Sequence, residues 1–115
     1  MKALEIKRSK FIPIMKEIHS KDEFKKIRED LRLEYRPKHI VHAFIIEEDG
    51  KIINGFSDDK EPKGVAGMPI YNLMIRKNLK NKVIFVIRYF GGVELGKGNL
   101  RRAYVDAANL LFEEE

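Results

Sequence analysis

The chain has 115 residues, no cysteine and a formal net charge of +5 at pH 7, with an isoelectric point near 9.4. This length suits one domain with its own core, and the missing cysteines exclude disulfides, thiolate catalysis and Cys-ligated zinc. Apolar runs are only strand-length and the amino terminus lacks the apolar region of a secretory signal, so we expect a cytoplasmic protein without a membrane-spanning segment.

The first predicted strand covers residues 9–18, where branched and aromatic side chains predominate. Pro13 has no N–H to donate to a strand ladder, which favours an edge position for this strand. Ser20 and Glu23 match the capping box, and apolar residues then recur on one helical face. The pattern predicts a first helix over residues 21–34.

Two further strands follow, at residues 40–46 and 51–56, and the Asp-Gly pair between them is typical of a tight hairpin turn. Residues 57–69 contain too many glycines and prolines to form a regular element, so we predict a polar loop. Gly67 suits the N-cap of a second helix, which we expect to run to about residue 78.

The fourth predicted strand, residues 83–87, is fully apolar and therefore central to the sheet. A glycine-rich loop follows it, and Asn99 is a good N-cap for a last helix. The element order is thus β-α-β-β-α-β-α. It predicts an α+β two-layer sandwich, with a four-stranded mixed sheet and helices on one face. We expect a single domain over residues 1–115, with its core between residues 9 and 112.

Charge is unevenly distributed along the chain. Residues 1–56 carry a net charge of +3, residues 57–104 carry +6, and residues 105–115 carry −4. The basic excess therefore coincides with the glycine-rich region. Clustered positive charge is compatible with a polyanionic partner, but solvated lysines are the simpler explanation.

The glycine-rich loop is a candidate anion site, because amides exposed at glycines ahead of a helix start can bind phosphate. Tyr89 and Phe90 could stack on bases beside it, or pack in the core where the strand ends. Because strand alternation sends them to opposite faces, we expect one of the two to face the core. The spacing matches neither nucleotide-binding glycine signature, so a structural corner is the alternative. The candidate nucleic-acid or anion-binding residues are Arg88, Tyr89, Gly91, Gly92, Gly96, Lys97, Gly98, Arg101 and Arg102.

A second candidate motif is the acidic loop, with Asp58, Asp59, Glu61, Gly64 and Gly67. Its three carboxylates could hold a divalent cation or supply an acid and a base, or they could simply be solvated. The calcium-loop pattern is not met. We therefore assign no metal ligand, catalytic residue or cofactor.

Together these motifs resemble the Impact family, specifically its amino-terminal domain. The resemblance rests on four stretches, read in order along the chain: Ser9-Lys10-Phe11-Ile12; His42-Ala43-Phe44; Asp58-Asp59-Lys60-Glu61-Pro62 with Gly64, Ala66, Gly67, Pro69 and Ile70; and Arg88-Tyr89-Phe90-Gly91-Gly92 with Leu95, Gly96, Gly98, Leu100, Arg102, Ala103 and Tyr104. The chain departs from the family pattern at Lys60, Lys63 and Asn99.

The resemblance implies a ribosomal-protein-like fold, similar to the second domain of a small-subunit ribosomal protein and to domain IV of elongation factor G. It also implies a role in translation control. Bacterial relatives add a ferredoxin-like carboxyl-terminal domain, which we do not find in this sequence.

Three functions are compatible with these features. The first is a non-enzymatic module that binds RNA or the ribosome through the glycine-rich loop and the last helix. The second is a module that regulates translation by binding a protein through the 57–69 loop. The third is an enzyme acting on a phosphorylated small molecule. In each case we expect the 57–69 and 88–104 loops to meet, because both lie at strand ends beside the same helix; the oligomeric state stays open.

Overall fold

The computed structural model describes residues 2–113, so the last two glutamates of the acidic end lie outside it. Its sheet contains five strands in the order β1-β2-β5-β3-β4. The strands are β1 (Leu4–Ile6), β2 (Ser9–Glu17), β3 (His39–Glu48), β4 (Lys51–Ser57) and β5 (Lys82–Tyr89). The helices are α1 (Lys21–Tyr35), α2 (Gly67–Arg76) and α3 (Lys97–Asn109), and a 3₁₀ turn (Leu110–Phe112) ends the described chain. The predicted α+β class is confirmed.

The sheet carries helices on both of its faces. Val41, Ala43 and Ile45 of β3 pack with α2 and α3. The alternate residues Phe44 and Ile46 pack with α1. The predicted packing of helices on one face is therefore confirmed for α2 and α3, whereas α1 covers the opposite face. The cause lies in β3 and β5, which are apolar on both sides and need cover on both.

Neighbouring strands are antiparallel throughout, which corrects the predicted mixed sheet. Each helical crossover does join two parallel strands, β2 to β3 through α1 and β4 to β5 through α2. However, β5 lies between β2 and β3, and β3 lies between β4 and β5. Because a third strand separates each parallel pair, no two described neighbours are parallel.

Strand β1 was not predicted, since three residues are too few to show an alternating pattern. It pairs only with residues 9–11 of β2, and β5 pairs with the other side of β2. The predicted edge position of the first strand is therefore wrong for its start and right for the part that contains Pro13. In that part, no described strand lies along the outer side of β2.

Local start and turn signals mostly predicted the element ends. The Ser20 hydroxyl accepts a hydrogen bond from the Glu23 amide at 3.1 Å, as the capping box requires. Asp49 and Gly50 turn the β3–β4 hairpin with φ angles of 50° and 76°. The predicted N-cap at Asn99 is wrong, because α3 begins two residues earlier, at Lys97, after Gly96 turns the chain with a φ of 78°.

None of the three described helices combines the length and the apolar character that crossing a membrane requires. The longest, α1, has 15 residues; its apolar residues lie on one face, and charged residues cover the rest.

Candidate functional site

The two motif loops meet at a buried ion pair, as expected from the sequence. Arg88, at the end of β5, donates from Nη1 to both carboxylate oxygens of Glu61, at 2.9 and 2.7 Å. Only 5% of Arg88 and 8% of Glu61 is exposed. In this ion pair, taken out of water, one nitrogen contacts both carboxylate oxygens, so the contact fastens the acidic loop to the start of the glycine-rich loop.

Two further hydroxyls complete this buried cluster. Tyr104 of α3 donates its hydroxyl to Glu61, and Arg88 Nη2 donates to the Ser9 hydroxyl of β2 at 3.3 Å. Burial, and after it the hydrogen bond to Glu61, raises the pKa of Tyr104 above its ordinary value. The phenol therefore stays protonated and remains a donor. The cluster ties α3, β2 and β5 to the acidic loop.

A small cavity of about 210 Å³ opens beside the cluster, between Lys38, His39, Phe90 and Glu94. His39 Nδ1 donates to the Asp59 carbonyl at 2.8 Å, and its Nε2 lies 3.3 Å from Glu61 Oε1. The Glu61 carboxylate is thus occupied by partners within the protein. Its role in this arrangement is to order the two loops.

The remaining two acidic-loop carboxylates also have structural partners. Asp58 accepts hydrogen bonds from the amides of Gly64, Ala66 and Gly67 at 2.8, 3.0 and 2.8 Å, so it caps the start of α2 from outside the helix. Asp59 accepts from the Ile40 amide at 2.8 Å. Among residues 2–113, no group of three potential ligands is placed to hold a metal ion.

The glycine-rich loop packs directly against the turn between β1 and β2. A Cβ atom built on Gly91 would lie 2.2 Å from the backbone carbon and oxygen of Arg8, so a side chain does not fit there. Lys7 and Arg8 form this turn with φ angles of 46° and 70°. The turn thus brings two exposed cations to the glycine-rich loop, a contribution that the sequence analysis missed together with β1.

The predicted cations of α3 are all on the surface. Lys97, Arg101 and Arg102 are exposed, while Leu100 and Tyr104 of the same helix are buried. None of the three cations pairs with a carboxylate of the described residues. They remain available to a ligand, together with Lys7 and Arg8. We refer to these five residues as the cationic rim.

Two aromatic residues precede the glycines and take different roles. Tyr89 donates its hydroxyl to the Tyr35 carbonyl at the end of α1, and its ring is half-buried. Phe90 is 42% exposed, and the Arg88 guanidinium lies 5.4 Å from its ring centre. The expectation that one of the two faces the core is confirmed. Phe90 is the ring of this pair that a ligand can reach.

The other candidate residues form the frame between these groups. Three glycines adopt positive φ angles that favour glycine, namely Gly64, Gly92 and Gly96. Gly67 lies so close to the Ser57 backbone that a Cβ would be 2.8 Å from its nitrogen. Gly98 lies in the first turn of α3 with open space around it. The structure thus brings all candidate residues to one end of the sheet, with Arg88 and Glu61 beneath the surface.

Comparisons with known proteins place the chain in a family. The model described as the Impact N-terminal domain matches residues 7–112. The chain is 33% identical to IMPACT family member YvyE of Bacillus subtilis over 100 residues, which cover 86% of this chain and 46% of that protein. It is 33% identical to IMPACT family member YigZ of Escherichia coli over 108 residues, covering 91% of this chain and 52% of that protein. The chain spans about half the length of these relatives.

Two solved structures share the fold. A crystal structure of a hypothetical protein superposes with a TM-score of 0.89 at 32% identity, covering 96% of this chain and 54% of that one. The two-domain translational regulator Yih1 superposes with a TM-score of 0.54 at 19% identity, covering 90% of this chain and 42% of that one. With its motif residues gathered at one end of the sheet and the family model matching nearly its whole length, the chain belongs to the Impact N-terminal domain family.

Proposed function

We propose that this domain binds RNA through the cationic rim and acts in translation control as a ribosome-associated module of the cytoplasm. The phosphates of an RNA backbone would lie across the first turn of α3 and the β1–β2 turn. Phe90 would be within reach of an unpaired base.

The observation that carries this proposal is the charge at the start of α3. A helix amino terminus favours anions, yet the first turn of α3 contains no acidic residue and begins at Lys97. Arg101 follows one turn later on the same face, where two like charges repel by a few tenths of a kcal/mol. Cations placed against the helix dipole destabilise the free domain slightly. A bound polyanion would reverse that penalty.

The β1–β2 turn supports the same surface. Lys7 and Arg8 both hold the left-handed backbone conformation, which Asn or Gly would adopt at a lower cost. Strained positions tend to occur where they serve a function. Here the strain places two more cations beside Gly91, next to the glycine-rich loop.

Translation is the process we propose because Yih1, which shares this fold, is described as a translational regulator. The family match and the two bacterial relatives support a shared domain. Fold alone does not determine a binding activity. The RNA surface therefore has to be tested on this chain.

The direct test is fluorescence titration of a labelled single-stranded RNA at several salt concentrations. Three to five phosphate contacts predict an affinity loss of about 20- to 100-fold between 50 and 200 mM salt. Arg101→Glu/Arg102→Glu removes two contacts, so we expect an affinity at least about tenfold weaker at 50 mM and a shallower salt slope.

Lys21→Glu/Lys26→Glu is the matched control, because it makes the same change in net charge on the exposed side of α1. We expect it to retain most of the affinity. If both double variants weaken binding equally, the interaction is a response to net charge and the proposed surface is wrong.

A protein-binding module is the second candidate function, favoured by an exposed apolar patch at the other edge of the sheet. Ile52 and Phe56 of β4 are 50% and 45% exposed, and Ile75 of α2 is 51% exposed. Ile52 and Phe56 lie on the edge strand β4, where a partner strand could pair, and Ile75 lines a surface cavity together with Ile52. Substitution Ile52→Lys/Ile75→Lys should abolish capture of a translation factor if this patch binds it, while leaving RNA titration unchanged.

A further inference from the structure

A cavity of about 520 Å³ lies between α1 and the sheet face that α1 covers, away from the cationic rim. Its lining comes from one side of α1 and from His42 of β3; the residues are Phe24, Lys25, Arg28, Glu29, Arg32 and His42. The volume is in the range of small-molecule sites. The lining combines an aromatic floor with three cations and one carboxylate.

Two polar atoms of this lining are buried without a hydrogen-bond partner. His42 is only 8% exposed, and its Nδ1 has no partner; Arg28 Nε has none either. Buried polar atoms are nearly always satisfied, because leaving one unpaired costs free energy. Two such atoms lie at this cavity, so its wall carries hydrogen-bonding capacity that the described chain does not use.

The charges at the cavity converge on one place. Arg28 Nη2 and Arg32 Nη2 lie 3.7 and 3.4 Å from the same oxygen, Oδ1 of Asp59. The two guanidinium groups are therefore close together, while both contacts are longer than a strong charged hydrogen bond. Asp59 also directs its other oxygen, Oδ2, to the Ile40 amide at 2.8 Å. One carboxylate that is already engaged leaves the two guanidinium groups short of negative charge.

We propose that this cavity binds a small organic anion, a carboxylate or phosphate ester attached to a flat apolar group. Arg28 and Arg32 bind the anionic group, for which planar guanidinium groups are well suited. The apolar group packs against the aromatic floor formed by Phe24 and His42. The cationic rim lies elsewhere on the domain, so this site is separate from the proposed RNA surface.

The test is an NMR titration of ¹⁵N-labelled protein, following the Arg Nε–H signals and the His42 ring. Phenyl phosphate and benzoate are the probes, because they share a ring and differ in the anion. Inorganic phosphate is the control for the anion alone. We expect saturable shifts at Arg28 and His42 with millimolar or tighter affinity for at least one probe. We expect inorganic phosphate to bind at least tenfold more weakly.

Arg28→Gln and Arg32→Gln should each weaken the better probe at least tenfold. Lys26→Gln, on the exposed side of the same helix, should leave the affinity unchanged. Arg32 is partly exposed, so Arg32→Gln should stay folded. This variant tests the proposal even if Arg28→Gln unfolds. The proposal is overturned if neither probe saturates at Arg28, if inorganic phosphate binds equally well, or if the Arg32 variant keeps wild-type affinity.

Discussion

At the scale of single residues, the Glu61–Arg88 pair decides where the two motif loops sit. Both side chains are almost fully buried, and Glu61 also accepts from Tyr104. Removing one member leaves the other charge uncompensated in a low-dielectric site. Arg88 was predicted as a binding residue, and its burial instead gives it the role of holding the loop that carries the exposed residues.

Glu61→Gln should therefore lower the free energy of unfolding by about 3–5 kcal/mol, because Arg88 keeps its buried charge. Urea denaturation measures this loss. Glu94→Gln is the matched control: Glu94 lines the same cavity mouth but is exposed, so its change should stay below about 0.5 kcal/mol. Equal effects of the two substitutions would show that the buried pair does not hold the loops.

His42 gives the domain a pH-dependent stability. Burial, and after it the charge of Arg28, lowers the pKa of His42 from 6.5 to about 4, while Asp59 opposes the shift. The unfolded chain therefore binds a proton that the folded chain rejects, so stability is present above pH 6.5 and is lost as pH falls toward 4. Between pH 7 and pH 5 this loss should be about 2 kcal/mol.

Denaturation of wild type and His42→Phe at pH 7 and pH 5 measures this contribution. The variant should lose less stability than wild type over this range, by about 2 kcal/mol. His19→Gln, which changes an exposed histidine paired with Glu17, should keep the wild-type difference. If wild type and His42→Phe lost the same amount of stability between pH 7 and pH 5, His42 would not be the source of the pH dependence.

At the scale of elements, α2 begins on a cap supplied from the acidic loop. Asp58 accepts from the amides of Ala66 and Gly67 at the start of α2 and from the Gly64 amide in the loop before it, a role that its position nine residues before Gly67 did not reveal. Asp58→Ala should cost about 2–3 kcal/mol in urea denaturation, because charged hydrogen bonds to buried amides are lost.

The matched control for this cap is Asp22→Ala, which removes an exposed carboxylate from the first turn of α1. Only the dipole interaction is lost there, so the cost should stay below about 1 kcal/mol. An Asp58→Ala variant as stable as Asp22→Ala would contradict the capping role.

Two glycine substitutions in and beside the glycine-rich loop should change the stability of the domain in opposite directions. Gly91→Ala forces a Cβ into the Arg8 backbone, so we expect a loss of about 1–3 kcal/mol as the β1–β2 turn is displaced. Gly98→Ala lies in α3 with open space around it, so it should gain up to about 1 kcal/mol. Thermal denaturation compares the two. A Gly91→Ala variant at least as stable as wild type would contradict the close packing.

Most elements could be predicted because their signals are local. The capping box, the Asp-Gly turn and the alternating apolar residues all act within a few positions. Strand β1 was not predicted because three residues are too few to show an alternating pattern of apolar and polar side chains. The face covered by α1 was missed although the signal was present: the continuous apolar run in β3 already required cover on both sides.

At the scale of the whole molecule, the site could be predicted only in part. The exposure of Lys97, Arg101 and Arg102 follows from the helical stripe of α3. The meeting of the two motif loops was expected and is confirmed by the contact between Glu61 and Arg88. Which of those side chains would be buried could not be predicted, because it depends on contacts between residues 27 positions apart. The binding role of the exposed residues stays a prediction.

The most direct measurement of the central claim is co-sedimentation of the domain with ribosomes at 50 and 200 mM salt. We predict that wild type and Lys21→Glu/Lys26→Glu pellet with ribosomes at low salt and are largely released at the higher concentration. Arg101→Glu/Arg102→Glu should stay in the supernatant at both. A double variant of α3 that sediments like wild type, or an association indifferent to salt, would contradict an RNA-binding surface at the cationic rim.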